Sequence, residues 1–282
     1  VMAHIGLLPQ TASMWQGYRV QGRDEDSAWQ LVDAALALEE AGELTLRINY
    51  SEMIQPENYK EGIENLLEEK ETVKSDFIKI STAKFFADGV IEGVTGYLLD
   101  PYTKEAGMGD NYVSEPIWTD KAAFADAMTM ALDGDLQIHV LDCIEQAQTA
   151  HGDADYRNVI THLQVVNDAD KPRFGELGII AAIQPFWHMQ EPDWYENVDK
   201  LVLGEDRAWK EYPVKSLLDN GAVITSSGDY PVSPTNNPLW GIESGVTRNL
   251  NNAEFYGVED IANMDDPKWL LNAEERVSLK TM

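Results

Sequence analysis

Ala169-Asp170-Lys171-Pro172-Arg173-Phe174-Gly175-Glu176-Leu177-Gly178-Ile179-Ile180-Ala181-Ala182-Ile183-Gln184 decides the fold class. Its first nine residues carry a helical pattern that stops at Gly178, and an unbroken apolar run follows. A strand apolar at every position, rather than at alternate ones, is covered on both faces, as strands of parallel sheets are. Helix, glycine and strand therefore form one repeat of an α/β architecture.

The rhythm extends in both directions. Apolar runs lie at Met2 to Leu7, Leu44 to Tyr50, Phe77 to Phe86, Leu136 to Val140, Val159 to Val165, Gly178 to Phe186 and Ala222 to Ser226. Helical segments lie between them at Asp24 to Ala41, Pro56 to Lys74, Thr119 to Leu132, Leu141 to Ala150, Ala169 to Leu177 and Arg207 to Asn220. In the first, Ala28, Leu31, Val32, Ala35 and Leu38 make an apolar stripe opposite Asp26, Asp33 and Glu40, and Gly42 ends it. Tyr102 to Trp118 lacks periodicity and is expected to be a long loop or lid. After Arg248 the chain turns acidic and irregular, and residues 251–282 are expected to form a loosely packed tail.

Seven strands suit an open doubly wound sheet more easily than an eight-stranded barrel. The placement of polar residues favours the barrel. His139, His162, Gln184 and Asp229 sit at or just past the C-terminal ends of separate strands, so a TIM (β/α)8-type barrel would gather them at one mouth, whereas an open sheet would spread them.

Composition bounds the function. Of 282 residues, 44% are hydrophobic, enough for a large core. Forty-nine acidic against 21 basic side chains give a formal charge of −28, which repels nucleic-acid phosphates and anionic lipid headgroups, although solubility alone also accounts for such an excess. A small-molecule substrate is the expected partner, with nucleic acid and membrane excluded and a homodimer allowed. Cys143 is the single cysteine, so no internal disulfide forms. No run of about 18 apolar residues and no signal peptide is visible, which makes the cytoplasm the expected location. Val1 already lies inside an apolar stretch, so the chain is expected to be a fragment or an engineered piece. There is no GxGxxG, Walker, nucleophile-elbow or HExxH pattern.

The strand-end residues define the candidate chemistry. Divalent metals take imidazole and carboxylate ligands and hold a water whose proton a nearby carboxylate accepts. His139, His162 and Asp229 supply those groups, though a lone strand histidine is commonly a hydrogen-bonded structural residue. Lys84 stands in the otherwise apolar Ala83-Lys84-Phe85-Phe86, where burial is costly unless the amine is paired or modified; snorkelling is the plainer account. Glu92 could contact substrate or face water. Trp187, in Pro185-Phe186-Trp187-His188, could line a pocket, while His188 and His151 read as loop residues.

Several of these segments resemble one family. From Gly42-Glu43-Leu44-Thr45-Leu46-Arg47 through Val246-Thr247-Arg248-Asn249 the chain is similar to the YtcJ-like branch of the amidohydrolase superfamily, whose members include N-substituted formamide deformylase. The resemblance is carried by Lys84-Phe85-Phe86-Ala87-Asp88-Gly89-Val90-Ile91-Glu92-Gly93, Ile160-Thr161-His162-Leu163-Gln164, Arg173-Phe174-Gly175-Glu176-Leu177-Gly178-Ile179 and Gly228-Asp229-Tyr230-Pro231-Val232-Ser233-Pro234. It implies a barrel holding one or two divalent metals, zinc foremost, and hydrolysis of a non-peptide C–N bond by a metal-activated water. By position, His139 and His162 would be ligands, Lys84 the site of a carbamate, and Asp229 both ligand and proton shuttle; Glu92, Gln184 and Trp187 are candidate substrate contacts on the reading of the residues themselves. The family's first-strand His-x-His pair is missing, and His139-Val140 runs into Leu141-Asp142 where relatives have a second histidine. A non-catalytic scaffold, engineered or degenerate, is the competing expectation.

Residues 1–42 resemble a different family. Val1-Met2-Ala3-His4-Ile5-Gly6-Leu7-Leu8-Pro9-Gln10, Gly17-Tyr18-Arg19-Val20-Gln21-Gly22-Arg23 and Ala37-Leu38-Glu39-Glu40-Ala41-Gly42 look like ketopantoate hydroxymethyltransferase, also a TIM barrel. That likeness implies a substrate contact at His4, without the family's upstream metal-binding aspartates, and makes ketopantoate formation a third expectation. The join at Ala41-Gly42-Glu43 falls between a helix and a strand, where one βα unit can replace another, so a chimera of segments 1–42 and 43–250 is expected.

Overall fold

The computed structural model describes residues 25–133, 141–152, 154–230, 232–235, 237–250, 252–258 and 265–282. The expected strands Met2 to Leu7 and Leu136 to Val140, with His4 and His139, lie outside them.

Among the described residues, five strands alternate with helices. They are β1 (Ile48–Met53), β2 (Ile78–Lys84), β3 (Val159–Thr161), β4 (Ile180–Ile183) and β5 (Val223–Ser226). The main helices are α1 (Glu25–Glu40), α2 (Tyr59–Thr72), α3 (Lys121–Asp133), α4 (Leu141–His151), α5 (Lys171–Glu176), α6 (Lys200–Leu203), α7 (Glu205–Ala208), α8 (Val214–Asp219) and α9 (Pro238–Thr247). All strand pairing is parallel: β1 with β2, and β3, β4 and β5 in that order, with Ile180 of β4 beside Val159 and Val223. The α/β class is as expected.

The barrel is not closed among the described residues, which form two separate parallel sheets. The expected strand between β2 and β3 is one of those left undescribed. A single core nevertheless joins the two sheets. Ile80 and Ala83 from β2 and Ala181 and Ile183 from β4 pack in one apolar cluster with Ile63 and Leu66 of α2, Phe124 and Met128 of α3, Phe174 of α5 and Leu217 of α8. Burying a side chain of this size contributes about 1.5–3 kcal/mol. In β4, Ala181 and Ile183 are buried while Ile180 and Ala182 are only half-buried, so cover on both faces is incomplete. A sheet that does not close on itself leaves its second face partly open.

Local chemistry sets the element ends. Gly178 and Gly221 take φ +63° and +84°, left-handed values that close α5 and α8 just before β4 and β5. Asp120 caps α3 by accepting from Ala122 N and Ala123 N, and Asn237 caps α9 by accepting from Leu239 N beside Pro238. The first strand begins at Ile48 rather than Leu44, because pairing with β2 starts there and Leu46 is exposed. The expected helix over Arg207 to Asn220 is broken by Pro213 into α7 and α8. Tyr102 to Trp118 is a loop apart from a 3₁₀ turn at Lys104–Ala106.

The expectation of a loosely packed tail is corrected, and His188 lies in a loop as expected. The C-terminal segment does not pack loosely: Trp269 and Leu271 are buried, Leu271 N donates to Arg248 O, and Ser216 N donates to Glu275 Oε2. His188 is nonetheless wholly buried. Helix α1 also belongs to this core, with Val32 and Ala35 buried and Trp29 Nε1 donating to Glu69 Oε1 at 3.0 Å. No described helix is long and apolar enough to cross a membrane.

Candidate active site

The C-terminal ends of β3, β4 and β5 carry a connected polar group. The backbone leaves β3 through a bend in which His162 and Leu163 take φ +71° and +56°, while His162 N still donates to Ala182 O at 3.0 Å. Two consecutive non-glycine residues in the left-handed region are strained, at about 1–3 kcal/mol each, and persist only where the surroundings hold them. The bend turns the imidazole towards β4. There His162 Nδ1 meets Gln184 Oε1 at 2.9 Å. Gln184, 2% exposed, donates through Nε2 to Ser227 Oγ at 2.9 Å and Thr161 Oγ1 at 3.3 Å. An amide oxygen only accepts, so Nδ1 is the donor of this contact, which in a neutral ring leaves Nε2 as the acceptor. Trp187, in the 3₁₀ turn after β4, stacks on the imidazole at 5.6 Å and 24°.

Asp229 lies two residues beyond Ser227 in a turn at φ +48°, its carbonyl accepting from Val232 N at 2.8 Å and Ser233 N at 3.2 Å. Its carboxylate is half-buried and has no hydrogen-bond or ion-pair partner among the described residues. Glu92 approaches from the loop after β2: Gln164 Nε2 donates to Glu92 Oε1 at 3.4 Å and to Glu211 Oε1 at 2.8 Å. Lys84 is half-buried, with its Nζ over the Phe86 ring at 4.6 Å.

The structure thus links His162, Gln184 and Trp187 directly and Glu92 through Gln164. His139 and His4 are not described. Among the described residues no three His, Cys, Asp or Glu side chains could hold a metal ion, so these residues alone do not fit a divalent metal.

Several residues near the site carried no functional signal in the sequence. Glu211, Asp199, Tyr195 and Tyr212 surround Gln164 and Glu92. Burial pushes the Glu211 carboxyl well up, with Asp199 adding to the effect, and burial pushes Asp199 up to about 8, helped by Glu92 and Glu191. Arg248, 0% exposed, donates from Nε to Leu271 O at 2.9 Å, from Nη1 to Tyr212 O at 3.0 Å and from Nη2 to Glu211 O at 2.8 Å. Burial pulls its guanidinium down to about 10, opposed by Glu275, Tyr212 and Glu211. His188 stacks on Tyr212 at 4.9 Å with neither ring nitrogen hydrogen-bonded among the described residues, and burial, then Arg248, drives its pKa well down.

A model of the amidohydrolase family (Amidohydro_3) matches residues 14–282, nearly the whole chain. The chain belongs to the amidohydrolase family. This amidohydrolase-family chain is 31% identical over 193 residues to Protein LONG AFTER FAR-RED 3 of Arabidopsis thaliana, covering 64% of the chain and 31% of that protein. To the putative amidohydrolase YtcJ of Bacillus subtilis (strain 168) it is 27% identical over 187 residues, covering 64% and 34%. The chain therefore spans about a third of the length of these relatives. A 42-residue stretch, 15% of the chain, is 67% identical to 16% of the 3-methyl-2-oxobutanoate hydroxymethyltransferase of Cenarchaeum symbiosum (strain A), the transferase family to which residues 1–42 were likened. The family match, beginning at residue 14, overlaps that segment. In three dimensions the amidohydrolase-family chain superimposes on an uncharacterized metal-dependent hydrolase from Pyrococcus furiosus with a TM-score of 0.61 and 24% identity, covering 89% of the chain and 47% of that structure. The fold is thus of the amidohydrolase barrel type, although the described strands do not close it.

Proposed function

We propose that this chain carries the later-strand part of an amidohydrolase site that hydrolyses a non-peptide C–N bond, amide or formamide, in a small molecule. One observation carries the proposal: the hydrogen-bonded series His162–Gln184–Ser227 spans the C-terminal ends of three adjacent parallel strands, where barrel enzymes place their chemistry. Gln184 leaves His162 Nε2 as a base or ligand. Trp187 covers one face of that ring, and the Asp229 carboxylate, without a partner among the described residues, suits proton transfer at a carbonyl centre. Family membership supports the same reaction class. The metal ascribed to the site, zinc foremost, would need donors beyond the described residues, with His139 the expected one. A carbamate on Lys84 would have to displace the amine from the Phe86 face.

The test is release of amine from panels of N-formyl and N-acyl amines by the purified chain, with and without added zinc or manganese. Turnover that disappears in both His162→Ala and Asp229→Asn is expected. No turnover together with no retained metal would refute the proposal. A non-catalytic barrel scaffold is the second reading, favoured by the absence of a metal-holding group among the described residues. A chimeric origin of residues 1–42 is compatible with either, because α1 packs into the common core.

A further inference from the structure

The polar cluster behind the His162 bend joins four segments of the chain. Glu92 comes from the loop after β2, Gln164 from the bend after β3 and Glu211 from the loop before α8, while Asp199, at the end of the π-helical turn Tyr195–Asp199, is near enough for its charge to act on Glu211 and for that of Glu92 to act on it. Glu211 is 1% and Asp199 7% exposed. Gln164 is the hub. Its side chain donates to both Glu211 and Glu92, and its carbonyl accepts from Tyr212 N at 2.8 Å. Asp199 Oδ1 is buried and has no hydrogen-bond partner among the described residues. Such a group is costly unless its charge is neutralised.

Three kinds of neutraliser could serve. A metal does not fit, because no described group of His, Cys, Asp or Glu could hold one. The guanidinium of Arg248 weakens the charge on Glu211, yet its hydrogen bonds go to the carbonyls of Leu271, Tyr212 and Glu211. A proton remains.

We propose that Asp199, Glu211 and Glu92 form a proton-held latch that pins the His162–Leu163–Gln164 bend, and with it the strand-end site, through the side chain of Gln164. While Asp199 and Glu211 both keep their protons, neither carries a charge that repels its neighbours and Gln164 stays anchored. Once the Asp199 proton leaves, like charges share a dry site, the cluster separates, and the strained left-handed bend loses what holds it. The π-helical turn is the element able to yield, since its hydrogen bonding is already irregular.

The surrounding titratable groups keep the switch clean. Tyr195 and Tyr212 are pushed above the ordinary tyrosine range by burial and stay neutral. His188, against Tyr212, is driven well down by burial and also stays neutral, while Glu191 is pushed up by burial. Arg248 keeps its charge to about 10. For a carboxyl raised in the folded state, the stabilisation is complete below the unfolded carboxylate range. It is lost as pH rises through the folded value, about 8 for Asp199.

Hydrogen exchange of the full chain tests this without reference to catalysis. Protection of the Tyr212 amide and of a peptide spanning residues 159–166 is measured from about pH 6 to pH 9.5, corrected for intrinsic exchange. In the unaltered chain, protection is expected to fall about tenfold between pH 7 and pH 9. Asp199→Asn, which is neutral at every pH, is expected to flatten the profile, and Glu211→Gln to move it. Asp193→Asn, exposed on a neighbouring loop, should follow the unaltered chain. A flat profile in the unaltered chain overturns the latch whether or not any variant folds. An Asp199→Asn profile superimposable on that of the unaltered chain overturns it equally.

Discussion

Replacing Arg248 by Met tests how the C-terminal segment is held. The guanidinium makes hydrogen bonds of 2.8–3.0 Å to the carbonyls of Glu211, Leu271 and Tyr212. Tyr212 O also accepts from Val214 N, so two buried carbonyls, those of Glu211 and Leu271, lose their partner in the variant. Each such group costs about 1–3 kcal/mol, or roughly 2–6 kcal/mol together. Removing a buried cation recovers part of that, leaving a net loss of about 3 kcal/mol, a large share of the roughly 5–15 kcal/mol that stabilises a folded domain. Urea titration reads the effect. With a slope of about 3 kcal/mol per molar, the midpoint should fall by about 1 M with the slope unchanged. Arg248→Lys should fall nearly as far, because one ammonium cannot reach three carbonyls that a planar fork spans. A midpoint shift below about 0.3 M in both variants would show that the three contacts do not hold the segment.

Other perturbations give distinct outcomes. A Cβ added at Gly175 would lie 2.3 Å from Asn220 O, so Gly175→Ala should force α5 and α8 apart and lower the melting temperature by several degrees, about 1–3 kcal/mol; an unchanged melting curve would show that the contact relaxes freely. Gln184→Leu should cost about 1–2 kcal/mol and release the tautomer of His162, with nitrogen NMR changing from Nδ1–H alone to a mixture; retention of the single tautomer would mean that another group sets it. His188→Phe keeps the stack on Tyr212 and removes two unpartnered nitrogens, so stability at neutral pH should rise slightly. Because the folded-state pKa of His188 is depressed, the native state binds fewer protons than the unfolded chain. The unaltered protein should therefore lose stability as pH falls below about 6.5. The variant should show a shallower loss; equal acid slopes in chemical denaturation would exclude His188 as the cause.

Much of the architecture was legible because it rests on local periodicity. The runs at Phe77 to Phe86, Val159 to Val165, Gly178 to Phe186 and Ala222 to Ser226 each contain an observed strand, and the glycines expected to close helices at 178 and 221 have left-handed torsions. Errors arose where a neighbour decides the outcome. Residues 44–47 look as strand-like as Ile48, yet only Ile48 onward finds a partner in β2. The tail looked loose because its composition is acidic, and nothing local reveals that Glu275 receives Ser216 N or that Leu271 O receives Arg248. His188 carries no pattern that separates a solvent loop from a sealed one. Helix α9 was missed because its core is glycine- and serine-containing and short.

The candidate site divides in the same way. The positions of His162, Gln184 and Asp229 at strand ends follow from strand boundaries, and those are written in the order of apolar and polar residues along the chain. Which of them touch is a matter of tertiary structure. Gln184 meets both His162 and Ser227 because parallel pairing sets three strands side by side, and Gln164 reaches Glu92 and Glu211 across sequence separations of 72 and 47 residues. Periodicity repeats every few residues and so can be seen in one stretch of chain. Proximity between distant residues, and the burial that protonates Asp199 and Glu211, exist only once the segments have packed.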